Sequence, residues 1–114
     1  FQTVDLVDAM RDTGADLSRL RVDGGAASND LLMKFQADLL GVPVDRPAQL
    51  DTTAFGAAFL AGLALGVFDG PAAVRRTHRI AETHEPSMEP AQRDAHLARW
   101  RDAVGRARSS RIEP

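Results

Sequence analysis

The residue types able to do chemistry converge at one place, Arg21-Val22-Asp23-Gly24-Gly25-Ala26-Ala27-Ser28-Asn29. Two adjacent glycines carry no side chains, so backbone N–H groups there can lie directly against a ligand. A helix starting just beyond them adds the positive end of its dipole, which suits the phosphate or ribose of a nucleotide. Asn29 offers both a donor and an acceptor, matching the edge of a heterocycle, and it serves equally well as a local helix cap. Asp23 and Gly24 are assigned to support of the turn. Two common nucleotide signatures are absent: there is no G-x-G-x-x-G, and Lys34, the single lysine, does not stand in a G-K-[ST] context. Asp23 ends a strand and Asp38 lies within a helix, so neither is read as a general base. His78, His84 and His96 are too scattered for a metal site, and no metal ligand is assigned.

The elements around this turn follow from periodicity. Phe1, Val4, Val7 and Met10 recur at helical spacing, with Gly14 as a left-handed stop. Leu17 to Val22 alternates apolar with charged residues and reads as a short strand, ended by Asp23-Gly24-Gly25. Ser28 is expected to cap the next helix, whose apolar stripe is Leu31, Leu32, Phe35, Leu39 and Leu40 and whose end is Gly41. An extended piece from Val42 to Val44 runs into Pro47, and Thr52 or Thr53 is expected to cap an Ala/Gly-rich helix reaching Phe68. That helix is read as buried, its small residues admitting another backbone. From Asp69 to Pro90 turn residues and charges predict a surface connection with at most a short helix. Pro90 then opens a last helix with Leu97, Trp100, Val104 and Ala107 on one face.

Composition sets the outer bounds. The chain has 114 residues, 44% of them hydrophobic and 26% charged, enough for one soluble globular domain. It has no cysteine, which rules out disulfides and thiolate metal sites and is compatible with a reducing cytosol. A net charge of −2 leaves no electrostatic footprint for nucleic acid. Thirteen of the fourteen basic residues are arginine, spread along the chain as solvated faces rather than as a patch. The uncharged run from Thr52 to Phe68 falls short of a membrane span and carries three glycines. Because the chain opens on Phe1 with a helical pattern already under way, a piece of a longer protein is expected.

The segment Leu20-Arg-Val-Asp-Gly-Gly-Ala-Ala-Ser-Asn29 closely resembles the adenosine motif of glycerol kinases, members of the FGGY carbohydrate kinase family. The likeness continues in order through Leu32-Met33, Phe35-Gln36-Ala37-Asp38, Leu40-Gly41-Val42-Pro43-Val44, Arg46-Pro47, Thr53-Ala54, Gly56-Ala57-Ala58 and Leu60-Ala61-Gly62-Leu63-Ala64, and Trp100 and Arg106-Ala107 fit the family's terminal helix. It weakens between Asp69 and Pro90. Val22-Asp23 with Phe35-Gln36 favours the glycerol branch over pentulose kinases, while Lys34, Asp51 and Phe55 depart from the usual pattern.

The resemblance implies an α/β fold, a helix-rich part of an actin-like, ribonuclease H-like ATPase domain. Residues 1–68 would form the core of the C-terminal nucleotide-binding domain, 69–89 a connecting segment, and 90–114 a terminal helix and tail. Gly25 would contact ATP or ADP through its backbone and Asn29 would reach the adenosine portion. The catalytic base, the glycerol-binding groups and most contacts to Mg²⁺ would lie N-terminal to Phe1, so no catalytic residue is expected here. A cytoplasmic, homo-oligomeric parent enzyme is the further implication. The rival reading is a non-enzymatic interaction module.

Overall fold

The structure, a computed structural model, describes residues 1–109. Helix α1 (Gln2–Asp12) is followed by strand β1 (Leu20–Arg21), a 3-10 turn (Gly25–Ser28) and helix α2 (Asp30–Leu40). Then come β2 (Val44–Pro47), α3 (Thr52–Ala64), α4 (Pro71–Thr77), β3 (Ile80–His84) and α5 (Pro90–Ser109). The sheet is mixed, with β2 central. It runs parallel to β1, pairing Leu20 with Val44, and antiparallel to β3, pairing Val44 with His84 and Asp45 with Thr83.

Helix α2 is buried on two sides, because its apolar residues are wider in angle than a single stripe. Leu39 and Leu40 join Val4 and Val7 of α1 in one cluster, against which Phe35, Leu20 and Leu97 pack. Met33 and Ala37 join Ala27 and Val44 in a second, with Leu20, Val22 and Leu50 at its edge. Leu31, expected in the buried stripe, is instead 80% exposed; Met33 and Ala37 are the residues that face the sheet. The helix ends at Gly41, φ 68°, a left-handed cap that glycine adopts without a Cβ penalty.

The first and last helices meet over α2 through aromatic rings. Phe1 stacks on Trp100 at 5.4 Å between ring centroids and meets Phe35 edge-on at 5.7 Å, while Trp100 Nε1 donates to Asp5 Oδ2 at 2.8 Å. Leu97, Trp100 and Val104 form the inward face of α5 as expected, but Ala107 is exposed. The tail expected at the end of residues 90–114 lies outside the described residues past Ser109.

Four further expectations are corrected. The strand read from Leu17 to Val22 is only Leu20–Arg21, since Arg19 turns to Asp45, donating at 2.5 Å to a carboxylate that is 1% exposed. The segment 69–89 is more than a connection. It contains α4 and the edge strand β3, whose inward residue is His84 rather than an aliphatic one, so no apolar alternation advertised it. Neither Thr52 nor Thr53 caps α3: Asp51 precedes it without a side-chain bond, and Thr52 Oγ1 donates to Asp23. Nor is α3 buried. Only Gly62 is fully covered, while Phe55, Leu60, Leu65 and Val67 are exposed. Nothing in the described residues packs on its outer faces, and the radius of gyration, 18.4 Å, exceeds the roughly 13 Å of a compact chain this long.

The start of α5 is latched to α2 by Asp38. Its Oδ1 accepts from Ser87 N at 2.6 Å, Met88 N at 3.0 Å and Lys34 Nζ at 2.7 Å. Burial alone would raise the Asp38 pKa; the bonds from Lys34, Ser87 and Met88 together outweigh it and hold the carboxyl below its ordinary value of 3.8. A lowered folded pKa gives stability that is fully present above 3.8 and lost as the pH falls from there through the folded value. Replacing Asp38 with Ala is therefore expected to cost about 1–3 kcal/mol in urea unfolding at pH 7, and the difference from the native chain should shrink below pH 3.8. Equal losses at pH 7 and in acid would contradict the latch.

Candidate functional site

The glycine turn lies where β1 hands over to α2. Gly24 has φ 78° and ψ 173°, a region essentially reserved for glycine. Its N–H donates to Leu50 O at 3.0 Å, and its carbonyl accepts from Ala27 N at 3.1 Å. Beside it, Asp23 accepts from the Thr52 hydroxyl, tying the turn to the start of α3. Asp23 and Gly24 are thus bonded within and around the turn. Ala27 is its buried anchor, 2% exposed, while Gly25, Ala26, Ser28 and Asn29 face outward. The N–H groups of Gly25 and Ala26 stand first in the 3-10 turn, where no preceding turn supplies a carbonyl.

Ser28 does not cap α2. Its hydroxyl turns back to Gly25 O at 2.7 Å, and the cap is Asn29, whose Oδ1 accepts from Leu32 N at 3.0 Å. The Ser28 expectation failed because the 3-10 turn uses four residues before the helix begins, shifting the start by one. A backbone N–H can donate only to the carboxamide oxygen, so the Asn29 NH₂ group remains directed away from the cap. Asn29 can therefore cap the helix and donate to a ligand at once.

Arg46 of β2 lies under the same turn. Its guanidinium donates to Ala27 O at 3.2 Å, to Asp30 Oδ1, and to Glu82 of β3. The Asp30 hydrogen bond is the main reason that Arg46 holds its proton more firmly than a free arginine; partial burial opposes this, and the charges of Asp30 and Glu82 reinforce it. Asp30, Glu82 and the buried His84 bring ligand-type atoms within 4.8 Å of one another. Because Arg46 already bridges both carboxylates, this group is a poor seat for Mg²⁺, which prefers octahedral oxygen ligands. Arg46 was named only within the family likeness and Glu82 not at all, since the arginine's partners Asp30 and Glu82 are 16 and 36 positions away from it.

A groove lies elsewhere. It measures about 820 Å³ and runs beneath α3, lined by Pro47, Phe55, Phe59, Ile80, Arg21 and Thr52 among others, and excludes Gly25 and Asn29. The outward residues of the glycine turn lie on open surface instead.

Comparison with known proteins decides the family. Residues 1–65, more than half of the chain, match the C-terminal domain of the FGGY family of carbohydrate kinases. The chain belongs to this family. It is 53% identical over 108 residues to glycerol kinase of Myxococcus xanthus and 58% identical over 109 residues to that of Aromatoleum aromaticum, covering 94% and 95% of this chain. It spans 22% of the length of each of these relatives. The crystal structure of Plasmodium falciparum glycerol kinase with ADP superposes with a TM-score of 0.77 at 28% identity, covering 99% of this chain and 22% of that one. Xylulose kinase from Lactobacillus acidophilus shares the fold at TM-score 0.66 and 16% identity, over 85% of this chain and 20% of its own. The structure is accordingly an α/β portion of an FGGY C-terminal domain, helix-rich with a small sheet. No helix among the described residues is long and apolar enough to cross a membrane.

The two glycines of this FGGY turn separate experimentally. A Cβ on Gly25 meets nothing within 4 Å and its φ is not positive, whereas any side chain on Gly24 is strained by its backbone. Gly24→Ala is expected to lower stability by about 1–3 kcal/mol, and Gly25→Ala to change it by less than about 0.5 kcal/mol. Thermal melts of the two variants check this; equal destabilisation would reject the division of roles.

Proposed function

We propose that the chain is the C-terminal, nucleotide-binding portion of a cytoplasmic glycerol kinase, which transfers the γ-phosphate of ATP to glycerol to give glycerol 3-phosphate. The carrying observation is the open glycine turn at the start of α2, in a chain that aligns almost end to end with part of a glycerol kinase solved with ADP. Identities of 47–58% to glycerol kinases support the acceptor. The pentulose alternative rests on a 16% likeness that speaks for fold alone.

Within this reading, the residues of the chain bind and orient; they do not transfer protons. The backbone of Gly25 lies against the nucleotide, where the missing side chain permits close approach, with the first N–H groups of the turn facing the ligand. Asn29 uses its oxygen on Leu32 N and offers its NH₂ to a ring acceptor of the adenosine portion. Phosphoryl transfer additionally needs a residue to orient the attacking hydroxyl and Mg²⁺ to neutralise phosphate oxygens. With Asp30 and Glu82 paired to Arg46, these roles belong to the nucleotide and to the rest of the kinase. The parent enzyme acts as a homo-oligomer in this reading.

Two outcomes follow. The 114-residue chain mixed with ATP, Mg²⁺ and glycerol should form no glycerol 3-phosphate above the blank; turnover abolished by Asp23→Asn would place the base here instead. In the full-length kinase, Asn29→Ser keeps a capping oxygen while removing the NH₂ donor. The KM for ATP should then rise about three- to ten-fold, the value of one hydrogen bond, with the KM for glycerol and the melting temperature near wild type. An unchanged KM for ATP would reduce Asn29 to a cap, and if Gly25→Val were equally silent the nucleotide assignment would fall.

A further inference from the structure

The Arg46 guanidinium touches the chain on both sides of Ser28 and Asn29: the carbonyl of Ala27 before them and the carboxylate of Asp30 after them. Glu82 holds the same guanidinium from β3, and the arginine side chain is only 17% exposed. A planar fork held at three points has little freedom, so it fixes where the outward residues of the turn sit. The fork also acts on charge. Asp30 is 71% exposed and immediately follows Asn29, so without a cation it would present a bare negative charge beside the position where a polyphosphate ligand is read to bind.

We propose that Arg46 is a positioning residue for nucleotide binding: it clamps the turn through Ala27 and Asp30 and masks the Asp30 charge from the anionic ligand. This deepens the nucleotide reading above and rests on it. Asp30 in turn serves the fold by facing the positive end of α2, and Arg46 lets it do so without repelling the nucleotide. Glu82 makes β3 part of the support, reaching the turn from the far edge of the sheet.

The test uses the full-length kinase and ATP as the probe. Arg46→Met, which keeps the apolar stem and removes the fork, should raise the KM for ATP about five-fold or more, while the KM for glycerol stays within about two-fold. The ratio of variant to wild type should shrink as salt is raised from about 0.05 to 0.5 M, because an unmasked exposed charge is screened. Adding Asp30→Asn to Arg46→Met should recover most of the loss, and Arg46→Lys should recover only part, lacking the fork. The proposal is overturned if Arg46→Met leaves the KM for ATP within about two-fold of wild type. It is equally overturned if both Michaelis constants rise together with a lower melting temperature and Asp30→Asn restores neither. Should Arg46→Met not fold, Arg46→Lys and Glu82→Gln are judged by the same ratio of the two constants and the same salt response. The failure of the nucleotide reading is distinguishable: there Gly25→Val and Asn29→Ser are silent, whereas here they raise the KM for ATP and the Arg46 variants do not.

Discussion

The two-sided burial of α2 is the constraint on which the other features depend. Leu39 and Leu40 need α1, and Met33 and Ala37 need Val44 of the sheet, so one helix must lie between two layers that otherwise meet at Leu20 of β1, which packs against both clusters. Ala37 is completely buried, and at that closeness a larger residue would push the helix off the strand. Fixing α2 fixes its ends as well: the amino end is held at the carboxyl end of β1, and the Asp38 carboxylate is set where it can gather the chain before α5. The placement of the glycine turn therefore follows from the packing of α2, with Ala27 of the turn buried in the same cluster as Met33, Ala37 and Val44.

The turn divides its tasks among residues that cannot exchange them. Gly24 supplies a backbone conformation, Ala27 a buried foot, and Asn29 a cap. Gly25 supplies nothing to the fold that another small residue could not. Gly25 is thus an exposed position at which the fold itself does not require glycine.

Much of this was legible from the residues. Regular apolar spacing disclosed α1, α2 and α5, because helical burial imprints a period on the sequence; the double glycine marked the strand-to-helix joint because few other residues allow it. The glycerol kinase likeness supplied what periodicity could not, the family. What escaped notice was written in long-range polar pairing. Strand β3 hides because its buried member is a histidine and its neighbour Glu82 belongs to an arginine 36 positions away. Arg19 looked like the outward residue of a strand, and its partner Asp45 could not be guessed from 26 positions off. The capping error at Ser28 was local: a 3-10 turn and an α-helix share the same residue preferences at their starts, so composition alone does not say which begins first. For α3 the run from Thr52 to Phe68 was read correctly as uncharged, but lack of charge does not report burial, and among the described residues no element covers its outer faces.

At the far end of α3, a Cβ built on Gly62 would come within 2.7 Å of the Phe68 ring, which folds back over the helix as Val67 N bonds to Gly62 O. The hollow left by one missing methyl group is thus already filled from within the chain. Positions 62 and 68 consequently form a sterically coupled pair: alanine at 62 fits only where the ring at 68 is smaller or turned away, and a smaller residue at 68 leaves a hollow that an alanine at 62 fills.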